Sequence, residues 1–244
     1  MEWNSRTRLL IGDPGLERLR KSHVLVAGLG GVGSALAESL CRAGVGELTL
    51  IDGDTIQESN LNRQLIALRS RLGQPKAQAL AERLHDINPD LRAHVYTEFI
   101  RDERSAELLA QPYDYVADAI DTLSPKLHFI RLALENGQRL VSSMGAGGKI
   151  DPTQLRIAPI EESHGCRLAF IVRKKLHRMG IRQGFTVVFS PEPVPPEAMM
   201  AVDEQNKKTR VGTISYMPPL FGGFMASVIL RYLIQELNPG KPSL

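Results

Sequence analysis

Residues 23–44 read HVLVAGLGGVGSALAESLCRAG. HVLVAG (23–28) is an apolar run that goes straight into glycine, as a buried strand does, and SALAESLCRAG (34–44) has helical apolar spacing and closes on Gly44. Between them Gly28, Gly30 and Gly33 fit GxGxxG, with Gly31 inside the loop. The first glycine permits a tight turn, the second lets backbone approach a phosphate, and the third packs helix on strand. Phosphate then rests on the amides at the helix N-terminus. The stretch therefore opens a nucleotide-binding strand–loop–helix unit.

Outward from this unit, strands and helices alternate. ELTLID (47–52) is the second strand and PKAQALAERLHDIN (75–88) a helix with a proline start. LRAHVYTEF (91–99) alternates as a strand, SAELLAQ (105–111) is a short helix, and YDYVADAID (113–121) is a strand ending in acids. PKLHFIRLALENG (125–137) is a helix, and LVSSMGAGGK (140–149) is a strand that breaks into a glycine-rich loop. This order predicts an α/β fold, a Rossmann-like, largely parallel, doubly wound sheet. A short helix over 14–21 leads in. After Asp151 the rhythm changes to a strand at 155–161, a basic helix at 166–180 and a strand at 185–190. A long polar, proline-rich loop over 190–210 and a helix near 220–237 follow. No linker divides the chain, so residues 1–244 read as one domain.

The bulk properties narrow the function. A net charge of +3 over 244 residues gives no global basic character, so any nucleic-acid surface must be a local patch. Two cysteines, Cys41 and Cys166, exclude a disulfide framework and a zinc site built on paired CxxC motifs. Cys41 lies within a helix pattern and reads as core; Cys166 stands beside the expected substrate surface and reads as a small semi-buried residue, because no nearby pattern lowers its pKa, with a functional thiol as the alternative. The six histidines show no metal-ligand spacing and read as non-ligands. MEWNSRTRLL lacks the apolar region of a signal peptide. MPPLFGGFMASVIL (217–230) is too short to span a bilayer comfortably and reads as a buried helix. A cytoplasmic protein without a membrane partner is expected.

Asp52 closes the second strand at the spacing of an acid that holds ribose hydroxyls. With the glycine loop alone, that favours an NAD- or FAD-type ligand. Asn60, Arg63 and Gln64 follow within twelve residues, and Lys76 lies further on. A dinucleotide needs no Arg–Lys clamp, whereas a triphosphate needs cations on its leaving group. Asp121, at the C-terminal end of a strand, is placed to hold Mg2+. The set points to ATP with Mg2+.

GLGGVG, IDGDTIQESNLNRQ, LGQPKA and DAIDTLSPK together resemble the ThiF, or ubiquitin-activating, superfamily of adenylating enzymes. The resemblance implies attack of a carboxylate on the α-phosphate of ATP and release of pyrophosphate. It implies Asp52 on the ribose, Asn60, Arg63 and Lys76 on the phosphates, and Asp121 on Mg2+, which makes residues 1–150 the ATP-binding half. It also implies a homodimer in which an N-terminal arginine reaches the partner's ATP site; SRTRLLIG offers Arg8, with Arg6 second. Within the superfamily, GAGGKIDPTQLRI and VRKKLHRMGI followed by VVFSPEPV are similar to the tRNA threonylcarbamoyladenosine dehydratases. That similarity implies ATP-dependent cyclisation of the modified nucleoside, with residues 151–244 facing tRNA. The family's usual Asp–Pro-type pair before the basic helix is replaced here by GCRLAF (165–170).

Arg173, Lys174, Lys175 and Arg178 lie in an acid-free stretch with Arg167, His177 and Arg182. Such a run is either a solvated face or a phosphate-contacting tRNA patch. KKTR (207–210) is positioned in sequence to extend it. The competing function is an adenylyltransferase that activates the C-terminus of a ubiquitin-like sulfur-carrier protein, although such enzymes commonly carry CxxC pairs. A nucleotide-binding oxidoreductase or sensor is weakened by the Arg63, Lys76 and Asp121 set. A sulfur-relay protein is a further candidate partner.

Overall fold

The computed structural model describes residues 3–100, 102–204 and 207–235. Its main sheet has seven strands: β1 (His23–Ala27), β2 (Glu47–Ile51), β3 (Arg92–Tyr96), β4 (Tyr115–Asp118), β5 (Leu140–Ser143), β6 (Arg156–Pro159) and β7 (Thr186–Phe189). Their spatial order is β3-β2-β1-β4-β5-β7-β6, and every pairing is parallel except β6 with β7. The order reverses at β1, so β1 and β4 open a crevice at their C-terminal ends. In such sheets that is the ligand edge.

Alternation along β1 assigns the two faces. Val24 and Val26 point into a core with Leu36 and Leu40 of α2 (Gly31–Ala43) and Leu80 and Leu84 of α3 (Lys76–Ile87). Leu25 and Ala27 point to the other core, with Phe129 and Ile130 of α5 (Leu123–Glu135) and Val172 of α6 (Arg167–Arg178). A strand buried on both faces is continuously apolar, which is why HVLVAG stands out in the sequence. The small α4 (Asp102–Leu109) adds Leu108 and Leu109 to the second core.

Three segments differ from the sequence reading. The lead-in helix, α1, spans Ser5–Lys21 and is kinked at Gly12, where φ is 74°. Its first half buries little: Leu9 and Leu10 are 87% and 86% exposed, so no apolar periodicity marked it. Residues 190–210 are not a plain loop. They carry an antiparallel hairpin of β8 (Met199–Glu204) and β9 (Lys207–Val211), in a polar sequence without an apolar strand signature. The last helix, α7, begins earlier and runs Met217–Gln235, with Pro218 and Pro219 in the first turn, where proline is tolerated. Residues 217–234 are long and apolar enough to cross a membrane by length and composition. The helix instead lies against α2, with Met217, Phe221, Met225, Ile229 and Leu233 buried.

Candidate functional site

The loop after β1 is held by backbone geometry that only glycine satisfies. Gly28 has φ of 83°, and a Cβ there would lie 2.7 Å from the carbonyl oxygen of Ala119. A Cβ on Gly33 would lie 1.8 Å from the carbonyl oxygen of Gly28, which closes the helix onto the strand. Gly30 and Gly31 are the other loop glycines; Gly31 sits against the Arg63 carbonyl and the Pro218 ring. Asp52, just beyond β2, accepts the Leu29 amide at 2.6 Å and the Asp54 amide at 2.8 Å. Burial pushes the Asp52 carboxyl up from its ordinary value, opposed by the Lys76 charge and these amides.

The segment after β2 forms one wall of the crevice. Asn60 is buried and accepts the Gln57 amide at 3.1 Å through its side-chain oxygen. Arg63 is half-exposed and donates to the Ser59 carbonyl at 2.8 Å and the Asn62 side chain at 2.9 Å. Gln64 is buried beside Gly30, and its Oε1 has no hydrogen-bond partner. A buried amide oxygen without a partner at the glycine loop is where a bound polar ligand fits. Lys76 is not a surface charge: it is 5% exposed, and its ammonium lies 2.7 Å from Asp54.

The opposite wall follows β4. The strand ends at Asp118, so Asp121 lies three residues beyond it, exposed in the turn that leads to α5, rather than on the strand itself. The sequence reading missed what shapes this turn. Asp118 and Lys126 are both fully buried and pair at 2.7 Å. Asp118 also accepts from Ser142 Oγ at 2.6 Å and from the Ile120 amide at 3.0 Å, while Lys126 donates to the Ile120 carbonyl at 3.0 Å. An acid within the apolar run YVAD was the available signal. Gly28, Asp52, Gln64, Lys76 and the Ala119–Asp121 turn thus converge at the switch point. Arg8 stands apart on α1, 3.0 Å from Asp13.

Beyond β5, the loop at 145–151 is tied to the loop before β8. The Glu192 carboxylate accepts the Ile150 and Asp151 amides at 3.0 Å, and the buried Lys149 ammonium donates to the Glu192 carbonyl. Burial draws the Lys149 ammonium down from its ordinary value. Cys166 is buried and caps α6; Cys41 is core, its thiol pushed up to about 11 by burial. On α6, Lys174, Lys175 and Arg178 are exposed, and none pairs with a carboxylate among the described residues. Arg173 differs: it folds back onto Ser163, donating to its carbonyl and, at 2.7 Å, to its hydroxyl. It is therefore set apart from the free basic face. KKTR lies on β9, and the side chains of Lys207 and Lys208 fall outside the described residues. A depression of about 870 Å3 beyond α6 is lined by Arg139 and Arg182.

A model of the ThiF family matches residues 4–243, nearly the whole chain. The chain belongs to the ThiF family. Among ThiF relatives, the tRNA threonylcarbamoyladenosine dehydratase of Bacillus subtilis is 40% identical over 225 residues, covering 92% of this chain and 88% of the relative. The crystal structure of the Escherichia coli tRNA N6-threonylcarbamoyladenosine dehydratase in complex with ATP superposes with a TM-score of 0.87 at 33% identity, covering 98% and 96% of the two chains. The sulfur carrier protein adenylyltransferase of Thermus thermophilus is 31% identical, over 95% of this chain and 75% of that one. ThiF membership accounts for the glycine loop and switch-point crevice together, and the fold is the one seen in the ATP-bound relative.

Proposed function

We infer that this chain is an ATP-dependent tRNA threonylcarbamoyladenosine dehydratase acting in the cytoplasm. The observation that carries the reading is the crevice itself: a glycine loop, the Asp52 carboxylate, the buried Lys76 ammonium and the unpartnered Gln64 amide oxygen meet at one point of the sheet. That set suits a nucleotide: the loop amides and the ammonium donate to phosphate, and the two oxygens accept from hydroxyl or amino groups. Asp52 would hold the ribose, and the loop amides with Asn60, Arg63 and Lys76 would hold the phosphates. Asp121 would hold Mg2+, which supplies charge neutralisation on the departing pyrophosphate. Asp54 keeps the Lys76 ammonium oriented before ligand arrives.

In the reaction, a threonine carboxylate oxygen of the nucleoside attacks the α-phosphorus, and pyrophosphate leaves. The ureido group then closes on the activated carbonyl carbon, and AMP departs with the former carboxylate oxygen. The net change is loss of one water from the nucleoside. The carboxylate alone is a poor acylating agent, and adenylation provides the leaving group. Residues 1–150 carry the ATP crevice in this reading, and residues 151–244 face tRNA through Lys174, Lys175 and Arg178. The higher identity to the Bacillus subtilis dehydratase, 40% against 31% for the carrier-protein enzyme, supports this order of preference.

Incubation with ATP, Mg2+ and bulk tRNA, followed by nucleoside mass analysis, should reveal loss of one water. In parallel, Ala at Lys174, Lys175 and Arg178 should leave ATP binding intact and weaken tRNA binding. The slope of log affinity against log salt should fall by roughly 0.7–0.9 per phosphate contact removed. Unchanged affinity and slope would remove the patch from the mechanism and strengthen the carrier-protein alternative.

A homodimer completes the reading, with Arg8 acting across the interface. Leu9 and Leu10, beside Arg8 on α1, offer exposed apolar surface for a partner to cover. Mixing inactive Arg8→Ala chains with inactive Lys76→Ala chains should restore activity, because a mixed dimer rebuilds one intact site. No recovery despite demonstrated subunit exchange would count against it.

A further inference from the structure

At the sheet edge opposite the glycine loop, three adjacent strands bring together residues that the sequence keeps far apart. His23 opens β1, Glu47 opens β2, and His94 lies in β3, opposite Thr49 in the register. All three side chains share one face of the sheet. His94 Nε2 is 2.7 Å from Glu47 Oε1, His23 Nδ1 is 3.6 Å from the same oxygen, and the three ligating atoms lie within 4.8 Å of one another. We propose that His23, Glu47 and His94 form a site for a zinc-class divalent ion, with the fourth position open to solvent.

The donor set, two imidazole nitrogens and one carboxylate oxygen, is that of an open tetrahedral zinc site. The surrounding groups orient each ligand. His23 Nε2 lies 2.8 Å from the hydroxyl of buried Thr49. In the tautomer that binds a metal through Nδ1, the Thr49 oxygen accepts Nε2–H of His23. That leaves the Nδ1 lone pair facing Glu47 and His94. The His23 backbone is fixed by its amide, which donates to Asp114 at 2.8 Å, and Arg18 holds Asp114 at 3.3 Å. Arg92 pairs with Oε2 of Glu47 and leaves Oε1 toward the two histidines. The ion would tie the starts of β1, β2 and β3 together, far from the ATP crevice.

The test uses the full chain without ATP and with excess Mg2+, which occupies hard oxygen sites. Zn2+ affinity is read by competition with a chromophoric chelator, and Co2+ substitution is read by its visible spectrum. One ion per chain is expected, with tetrahedral Co2+ bands and no thiolate charge-transfer band. His94→Ala and Glu47→Gln should each weaken binding by roughly 100-fold or more, and Thr49→Val by roughly 10-fold, as loss of an outer partner does. Zn2+ should raise the melting temperature of the parent and not of His94→Ala. Cys166→Ser should bind as the parent does. Absence of stoichiometric binding, equal affinity in the parent and both ligand variants, or a thiolate band lost in Cys166→Ser would overturn the proposal. Glu47→Gln is isosteric and His94 is half-exposed, so a folded ligand variant remains available for the comparison.

Discussion

Replacing Lys126 by methionine should cost the fold about 3–5 kcal/mol, the usual penalty for stranding one charge of a fully buried pair. Both partners are 0% exposed, and Lys126 is among the largest fully buried side chains. Methionine fills similar volume, so the loss isolates the charge and the bond to the Ile120 carbonyl. Adding Asp118→Asn should recover most of the loss, because an amide oxygen can still accept from Ile120 while no charge is left buried. The urea midpoint of the three chains measures this. A Lys126→Met chain within about 1 kcal/mol of the parent would show that the pair does not hold the turn.

Three residues past Asp118, the expected effect is opposite in kind. Asp121→Ala should change the urea midpoint little, since the side chain is exposed, and should lower pyrophosphate release on the order of 10^3-fold if its carboxylate holds Mg2+ as proposed. Near-normal release from a folded variant would sink the assignment. The two substitutions separate a turn's framework from its chemistry.

The parallel sheet was readable because strands buried on both faces are uninterrupted apolar runs, and the glycine loop because Gly28 and Gly33 admit no Cβ. Both are local signals. The Asp118–Lys126 pair was not readable: each residue alone looks like an ordinary charge, and only the turn between β4 and α5 brings them to 2.7 Å. Lys76 was read together with the loop, but its burial against Asp54 depends on a 22-residue separation that spacing rules do not reach. The His23, Glu47 and His94 cluster escaped for the same reason, since strand register and not sequence spacing assembles it. On α6, the run of cations hid the fact that Arg173 turns inward to Ser163.

The position of β7 carries a consequence for how this protein can change. Val141–Ser143 of β5 pair with Thr186–Val188, so residues after 150 contribute the last two strands of a sheet begun at His23. Severing the chain there would leave β5 as a bare edge and strip α7 from α2, two invitations to aggregation. The second half is thus not an exchangeable module. A shared sheet also gives no hinge at that boundary, which leaves variation to the segments outside it, the 145–151 loop and the β8–β9 hairpin. Gly148 already meets that hairpin's base, donating its amide to Gly212 at 2.7 Å. New substrate preferences would arise by rewriting those two loops, with the sheet beneath them left as it is.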